Sequence, residues 1–393
     1  MARYSLGVII LVGSLIRAIF LGVNLEVMTL PQGGADAVGF ERAAWKVAEY
    51  GVEDVTTYLR SSSDFIVLIG SAVYSITGRQ PYVLGIIMIL LGVGVIYFAY
   101  RAALELWEDV HVARAIAWGA ALFPQLVLHS VLFLREIPVS FCLAGASWCT
   151  VRYVKRNDLI YAIWFALFAG IGALFHSGVI FAIPGLLLGV MLARPRGQRG
   201  KVKYYAVNLA AAIALSTVIY FANETGFGLG KFGGSLDDTL EQFERQERGG
   251  TTGGAAFPEW MRIRGGVADA WKVPIRYAAF LFSPLIPFLV RSPHHLLGVI
   301  DGALYLYLIW QIYRNWGAIK HNRAVVVLLV VLLVLNLVYA LGVSNFGTAI
   351  RHRAKMSPIL LLLGAGLPYL RRATRRVHGV ELPRSSQSTL VST

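Results

Sequence analysis

Long apolar runs constrain this chain more than any other feature of its sequence. Hydrophobic residues make up 56% of the 393 residues and charged residues only 15%, a balance far from that of a soluble globular domain. A helix that crosses a bilayer needs about 20 predominantly apolar residues. The sequence therefore predicts an all-α polytopic membrane protein with about 10–12 transmembrane helices in a single integral-membrane domain, residues 1–393. The apolar segments are 5–23, 64–77, 82–100, 112–133, 137–151, 159–175, 177–193, 204–222, 274–290, 296–313, 324–342 and 354–370.

Two of these segments are poor candidates for complete spans. Segment 64–77 is short for a bilayer helix. Segment 274–290 is interrupted by Pro284 and Pro287, and such a break is tolerated only against protein or a water-filled cavity. If every segment crossed, the basic loop 194–203 would lie outside, against the positive-inside rule. We therefore expect ten complete spans.

The distribution of basic residues predicts the orientation of the protein. The net charge of +14 lies mainly in short loops between apolar segments and in the tail, so it indicates membrane topology and not nucleic acid as a partner. With ten spans, both termini and the basic tail 371–393 are cytoplasmic. The loop 24–63, the long loop 223–272 and the turn at 344–353 then face outside.

The first outer loop, 24–63, contains candidates for acid–base chemistry. Residues 37–50 have the periodicity of an amphipathic helix that lies on the membrane surface. Asp36 precedes this helix in a stretch whose glycines let the backbone approach a ligand closely. Asp36 is therefore either a helix cap or a catalytic carboxylate, and Glu41 is a second catalytic candidate.

Charged residues within or beside apolar segments are further candidates. Arg135 and Glu136 either form an internal ion pair between helices or offer a phosphate a guanidinium with its orienting carboxylate. Glu136 and His176 are candidate catalytic residues, although His176, between two apolar segments, has an equally simple structural interpretation. Arg17, inside the first segment, either faces the bundle interior or extends to the membrane surface.

The strongest single signal is the basic stretch before the last apolar segment. Arg351, His352 and Arg353 place several positive charges on the predicted outer side, against the orientation rule, and this indicates a binding role. Arginine binds a phosphate or diphosphate in a bidentate manner. The alternative is that these residues anchor the protein to lipid headgroups.

The long loop 223–272 is the main polar excursion of the chain. A loop of this length is usually either functional or disordered, and its aromatic residues, glycines and charges of both signs favour a function. Arg245 and Arg248 are candidates for phosphate binding, although charge pairs along a surface helix explain them equally well. Trp260 is a candidate for stacking on a sugar, and Arg276, just beyond the loop, for phosphate binding.

Several short motifs, taken in order along the chain, carry a resemblance to known enzymes. The sequence resembles Wzy-type and EpsG-like polysaccharide polymerases, which include O-antigen polymerases, and more distantly the C-type integral-membrane glycosyltransferases (GT-C). The motifs are Gly-Ala-Asp at 34–36, Leu-Arg-Glu at 134–136, Leu-Phe-His-Ser-Gly at 174–178, Phe-Leu-Phe-Ser-Pro-Leu-Ile-Pro at 280–287 and Ile-Arg-His-Arg at 350–353.

The resemblance implies transfer of a sugar chain from a polyprenyl-diphosphate carrier, such as undecaprenyl diphosphate, onto another lipid-linked unit. The reaction would take place on the outer face of the bacterial cytoplasmic membrane, with lipid-linked donor and acceptor, membrane lipids and proteins of the export pathway as partners. Arginines would stabilise the leaving diphosphate. Asp36 matches the acidic residue of the first outer loop in the C-type enzymes, but the second acidic residue paired with it there is absent here.

Two other functions compete with polymerisation. A C-type transferase could add a single sugar from a polyprenyl-monophosphate donor. A transporter or flippase of lipid-linked sugars would favour paired broken helices near the bilayer midplane. The sequence has no cluster with metal-ligand spacing, no phosphate-binding P-loop and no nucleophile elbow. We therefore predict that the reaction uses no metal and no cofactor.

Overall fold

The architecture was obtained as a computed structural model, which describes residues 5–51, 58, 64–193, 209, 213, 256–262, 269–283 and 293–368. Most of the predicted segment 204–222, most of the long loop 223–272 and the tail 371–393 lie outside the described residues. The α-helices are α1 Leu6–Gly22, α2 Ala35–Tyr50, α3 Phe65–Thr77, α4 Pro81–Trp107, α5 Val110–Leu122, α6 Pro124–His129, α7 Glu136–Arg156, α8 Leu159–Phe175, α9 Ala182–Leu192, α10 Lys272–Phe282, α11 Pro293–Arg314, α12 Trp316–Ile319, α13 Arg323–Leu341, α14 Phe346–Ala354 and α15 Ser357–Gly364.

Short polar residues fix where several helices begin. A side-chain oxygen at the N-cap accepts a hydrogen bond from a backbone N–H of the first turn, which otherwise has no partner. The caps of this kind are Ser5 for α1, Asp109 for α5, Asp158 for α8, Asn322 for α13 and Asn345 for α14.

The described helices have the lengths and composition of a membrane bundle. Four stretches are long and apolar enough to cross a membrane, and they are Leu6–Val27, Pro81–Trp107, Leu296–Arg314 and Arg323–Leu341. Shorter apolar stretches accompany them at Phe65–Thr77, Val110–Leu122, Leu159–Phe175 and Ser177–Leu192. The part of the chain that the structure describes has no β-strand, only one isolated β-bridge. The predicted all-α, polytopic membrane fold is confirmed.

Helix α7 links the two ends of the bundle. It has 21 residues, and a rise of about 1.5 Å per residue separates Glu136 from Arg156 by about 30 Å, close to the thickness of the hydrocarbon core. It packs between α4 and α8. We call the end of the bundle at Glu136 the site end, and the end at Arg156 the far face.

The prediction of one apolar span over 112–133 is wrong. Phe123 has an extended backbone immediately before Pro124, so α5 ends and α6 begins at this point. A proline disfavours the helical conformation in the residue before it, and its own fixed φ suits the first position of a new helix. An irregular segment then leads from His129 to α7, and this break positions polar side chains within the bundle.

Near the other end of the chain, short helices replace long ones. Helix α10 ends at Phe282, two residues before Pro284, as expected for a broken segment. In the last predicted segment, 354–370, the helix begins three residues later than predicted, because α14 ends at Ala354 and α15 begins at Ser357. Several of the described helices therefore begin or end near the site end.

Arg17 of α1 faces the bundle interior and does not extend to the membrane surface. Its side chain is completely buried. The guanidinium donates hydrogen bonds to the backbone oxygens of Gly13 at 3.0 Å, Ala121 at 2.9 Å and Ala120 at 3.3 Å. Arg17 thus connects α1 to the end of α5, and it satisfies carbonyl groups that face a low-dielectric interior.

Candidate functional site

An open pocket of about 390 Å³ lies between the start of α2 and the start of α14. We call it the Asp36 pocket. Its lining residues come from distant parts of the chain and are Gln32, Gly34, Asp36, Asn345, Gly347, Thr348 and Arg351. On α14 the lining positions 347 and 348 precede Arg351 by four and three residues, so each lies on the helix face of Arg351. The pocket therefore joins the first predicted outer loop to the basic stretch before the last apolar segment.

Arg351 is the centre of the pocket because it pairs with two carboxylates of very different exposure. Its Nε and Nη2 donate to Oε1 of Glu136 at 3.2 and 3.1 Å, and its Nη1 donates to Asp36. The side chain of Glu136 is 0% exposed, that of Arg351 18% and that of Asp36 53%. Glu136 is thus a fixed, buried partner, whereas Asp36 is an accessible one. Sequence reasoning named all three residues, and the structure brings them together.

The two carboxylates stabilise the charged form of the Arg351 guanidinium. Burial alone would lower the pKa of Arg351, but the charge of Glu136 and the hydrogen bond to Asp36 outweigh burial and raise the pKa above its ordinary value. Arg351 is therefore a permanent cation, held between a buried carboxylate and the pocket.

A layer of polar aromatic and basic side chains lies beneath Glu136. Lys355 is completely buried, with its Nζ 3.7 Å from Oε1 of Glu136 and 3.1 Å from Nδ1 of His352. The ring of His352 lies 4.7 Å from that of His176, whose Nδ1 is 3.0 Å from the hydroxyl of Tyr339. Burial and the neighbouring Lys355 lower the pKa of His352 well below its ordinary value, so His352 is neutral near pH 7. The two histidines thus lie behind the carboxylate and do not line the pocket.

A second polar group approaches the pocket from α6. Gln32 lines the pocket, and its amide is 3.2 Å from Oε1 of Gln125 and 2.8 Å from Nε2 of His129. Gln125 and His129 are buried. Sequence reasoning missed these residues, together with Lys355 and Tyr339. The available signal was a glutamine and a histidine four residues apart inside an apolar run, where polar side chains need partners.

Arg353 lies on the opposite side of α14 from the pocket. It is fully buried, and its Nε is 2.6 Å from Oδ2 of Asp301 in α11. The same guanidinium donates to the backbone oxygens of Leu281, Ser283 and Gly298 at 3.0, 2.6 and 2.6 Å. Asp301 is also fully buried. In this position Arg353 fastens α14 to α10 and α11, so we now propose a structural role for it.

Glu41 has its own partners, away from Arg351. Its carboxylate accepts hydrogen bonds from Arg79 at 2.9 and 3.0 Å and from the hydroxyl of Tyr74 at 2.8 Å. Burial would raise the pKa of Glu41, but these hydrogen bonds outweigh burial and lower it. Glu41 joins α2 to the turn between α3 and α4. Arg135 lies near α2 as well, with its guanidinium carbon 5.4 Å from the centre of the Phe40 ring.

The C-terminal part of the long loop is attached to the rim of the pocket. Ala256 forms an isolated antiparallel bridge with Asn345, and the amide of Phe257 donates to Ser344 at 2.8 Å. The ring of Phe257 lies 4.7 Å from that of Phe346. Trp260, three residues further on, is 56% exposed. The described end of the loop thus brings an exposed aromatic ring close to the pocket.

Arg276 is buried behind this contact. It donates to the backbone oxygens of Ala340 at 3.3 Å and Leu341 at 3.0 Å, and lies 5.7 Å from the centre of the Phe257 ring. It therefore supports the end of α13 and does not line the pocket. Arg245 and Arg248 lie outside the described residues. Among the residues that the structure does describe, no group of three or more His, Cys, Asp or Glu is arranged to hold a metal ion.

Comparison with known proteins bears on the middle of the chain. Residues 64–221 match the family model described as dolichyl-phosphate-mannose-protein mannosyltransferase. The match begins with α3 and includes Arg135, Glu136 and His176. No curated protein gives a significant match. Together with the apolar helices, the family match supports a multi-pass membrane glycosyltransferase of the C type, with lipid-linked glycans and membrane lipids as its partners.

Proposed function

We propose that the Asp36 pocket transfers a glycosyl group from a polyprenyl-phosphate-linked donor to an acceptor hydroxyl. The observation that carries the proposal is the position of Arg351, which is held from the buried side by Glu136 and faces Asp36 in the open pocket. A cation of this kind suits a phosphate leaving group, and an accessible carboxylate suits an acceptor hydroxyl.

The different exposure of the two carboxylates suggests how the donor phosphate binds. Glu136 is buried and accepts hydrogen bonds from Nε and Nη2 of Arg351. Asp36 bonds to Nη1 from the solvent side. A phosphate that enters the pocket can replace Asp36 at Arg351 without disturbing the buried pair. Binding of the donor would then release Asp36 for chemistry.

The released Asp36 would act as the general base. The acceptor hydroxyl gives its proton to the Asp36 carboxylate, while its oxygen forms a bond to the anomeric carbon of the donor. The bond from that carbon to the phosphate oxygen breaks, and the electron pair remains on the polyprenyl phosphate. Arg351 stabilises the charge that develops there, in a preorganised position.

A second cavity offers a place for the lipid chain. It has a volume of about 170 Å³ and is lined in part by Ala37 and Val38 in the first turn of α2. Its walls are mainly apolar and include Leu21, Leu25, Leu84 and Val131. The linings of the two cavities are adjacent in the chain at Gly33 and Gly34 and at Asp36 and Ala37, so a phosphate at Arg351 would have its first isoprene units in this one.

The description of the matched family favours a monophosphate donor that supplies one sugar. The described pocket agrees with this choice. Arg351 is the one cation among its described lining residues, and one guanidinium suffices for one phosphate in a bidentate contact. We therefore place single-sugar transfer first.

Polymerisation from a polyprenyl-diphosphate donor is the second candidate. Its support is the attachment of the long loop at Asn345 and the exposure of Trp260 nearby, because a polymerase needs a sugar-binding surface beyond the phosphate site. In that case Arg245 and Arg248 would contribute to a diphosphate site, and export-pathway proteins would be further partners. Replacing Trp260 by alanine should then shorten the glycan.

Charge distribution supports an outward-facing pocket in a bacterial cytoplasmic membrane. The far face contains Lys155 and Arg156 at the end of α7, and the basic turn 314–323 between α11 and α13. Under the positive-inside rule this is the cytoplasmic side. The pocket at the other end of α7 would then open to the outside, where lipid-linked donors are used.

Purified protein in liposomes tests the proposal. The probes are radiolabelled polyprenyl-phosphate mannose and a polyprenyl-diphosphate oligosaccharide, each supplied with a membrane extract as the source of acceptor. We expect Asp36→Asn to lower transfer by about 100-fold or more, as loss of a general base does. The matched control is Glu26→Gln, because Glu26 is an exposed carboxylate bonded to Tyr82 outside the pocket. Full activity of Asp36→Asn would refute the assignment.

Analysis of glycans from a deletion strain separates the two candidates. Loss of one sugar from an otherwise complete glycan or protein would indicate single-sugar transfer. Accumulation of a single repeat unit on its carrier would indicate polymerisation. Accumulation of finished lipid-linked donor on the inner leaflet would support the transporter alternative and contradict both.

A further inference from the structure

A cluster of basic and aromatic side chains occupies the far face, about 30 Å from the Asp36 pocket along α7. We call it the far-face cluster. It lies where α4 and α7 end and α8 begins. Its members are Arg101, Arg152, Lys155 and Arg156, the aromatic residues Tyr97, Trp148 and Tyr161, and the carboxylates Glu105 and Glu108.

The guanidinium groups of the cluster stack on its aromatic rings. The guanidinium carbon of Arg152 lies 4.7 Å from the Trp148 ring centre and 5.3 Å from that of Tyr161. Arg101 lies 6.0 Å from Trp148, and Arg156 lies 5.9 Å from Tyr161. These cation–π contacts hold the three guanidinium groups near the rings before any ligand arrives. The cluster is therefore a preorganised array of positive charge.

The carboxylates of the cluster do not neutralise it. Glu105 pairs with Arg152 at 2.5 Å and more weakly with Arg156 at 3.8 Å, and Glu108 pairs with Lys155. Four cations against two carboxylates leave an excess of two positive charges. The side chain of Arg156 is 53% exposed, so part of this charge can be reached from outside the bundle.

Two donors in the cluster have no acceptor in the part of the chain that the structure describes. Arg101 makes cation–π contacts there but no hydrogen bond or ion pair. The indole Nε1 of Trp148 is buried and likewise without a hydrogen-bond partner among the described residues. A buried N–H without a partner is costly, so we expect a polar oxygen near the Trp148 indole that the described residues do not supply. Arg101 is only partly buried, so its guanidinium is available to an anion at the surface of the same cluster.

We propose that the far-face cluster binds the phosphate of an anionic glycerophospholipid in the membrane leaflet on that side. The cluster lies at the level where headgroups lie, because the 21 residues of α7 match the hydrocarbon thickness. Exposed apolar side chains of α4 and α8 next to it, such as Leu90 and Trp164, would contact the acyl chains. Basic pockets between helix ends are a known form of lipid recognition. This site is independent of the sugar donor.

Native mass spectrometry of the full-length protein in detergent, titrated with phosphatidylglycerol, tests the proposal. Arg101→Gln should weaken binding about tenfold, the loss expected for one charge-assisted hydrogen bond. The matched control is Lys320→Gln, which removes one exposed positive charge from the same face outside the cluster. It should change binding less than twofold. Equal weakening by both variants would show that the lipid responds only to net charge, and would overturn the proposal.

A second variant and a second probe complete the test. Trp148→Phe keeps the ring that stacks on Arg152 but removes the N–H, and we expect it to weaken binding about threefold. This variant decides the matter if Arg101→Gln does not fold. Phosphatidylcholine should bind at least tenfold more weakly than phosphatidylglycerol. Equal binding of the two lipids, or full displacement of phosphatidylglycerol by inorganic phosphate at equal concentration, would refute a site for anionic lipid.

Discussion

Replacing Arg353 by methionine tests whether this residue stabilises the site or belongs to it. Its guanidinium is fully buried against Asp301 and donates to three backbone oxygens. Methionine is unbranched, shorter than arginine and uncharged, so the substitution leaves a buried carboxylate without its cation. Breaking a buried ion pair in this way costs about 3–5 kcal/mol. We expect a clear loss of stability even though the residue lies outside the Asp36 pocket.

The double variant identifies the cause of that loss. With Asp301→Asn added to Arg353→Met, the uncompensated charge disappears, and about half of the lost stability should return. If the loss of stability did not come from the unpaired Asp301 carboxylate, adding Asp301→Asn would not restore it. Asp301→Asn alone should also destabilise, because it leaves the guanidinium buried without its carboxylate.

Thermal unfolding in detergent, followed by tryptophan fluorescence at one fixed scan rate, measures the effect. A loss of about 3–5 kcal/mol in a chain of this size corresponds to a decrease in Tm of roughly 5 °C or more. Because membrane proteins often unfold irreversibly, the comparison uses differences between variants only. Wild-type Tm with complete loss of transfer for Arg353→Met would refute the structural role and return Arg353 to the phosphate site, as the sequence first suggested.

Three further predictions concern the site and the topology. Arg351→Lys should fold and insert normally but lower transfer about 100-fold or more in a liposome assay, since an ammonium cannot bridge Glu136 and Asp36 as the fork of arginine does; near-normal transfer would show that the fork is not used. Glu41→Gln should lower stability by about 1 kcal/mol, a small loss because its partner Arg79 is 45% exposed. That difference from wild type should be present at neutral pH and disappear as the pH falls through the lowered pKa of Glu41; a constant difference at all pH values would contradict it. Reporter fusions at Gly250 and Gly347 should report outside and those at Gln198 and after Arg376 inside, and a cytoplasmic signal at Gly347 would reverse the proposed orientation.

The sequence sufficed for the fold class because membrane burial depends on composition over whole segments. Apolar runs and their lengths are visible without knowledge of tertiary contacts. Helix α2 and the end of α10 before Pro284 were likewise predicted, since periodicity and proline act locally. The break at Pro124 was missed because the apolar run continues across it. A hydropathy average over a window does not register a single proline, although that proline ends the helix before it.

The partners of the buried charges could not be predicted from the sequence. Glu136 and Arg351 are 215 residues apart in the chain, and Asp36 and Arg351 are 315 apart. No local pattern indicates which of the charged residues in a membrane bundle will meet. Lys355 shows the same limit, since its position beneath Glu136 depends on the packing of α7 against α14.

The helical geometry of α14 explains why the basic stretch divides into two roles. Sequence reasoning treated Arg351 and Arg353 as one phosphate-binding pair, yet two residues in a helix separated by one other point about 160° apart, since 3.6 residues make a turn. Arg351 shares its face with Gly347 and Thr348 and lines the pocket, whereas Arg353 faces Asp301. One side of this short helix thus offers a cation to the substrate while the other holds the helix in place. Movement of α14 would displace Arg351 from both of its carboxylates, so the buried pair on one face supports the geometry of the exposed pair on the other.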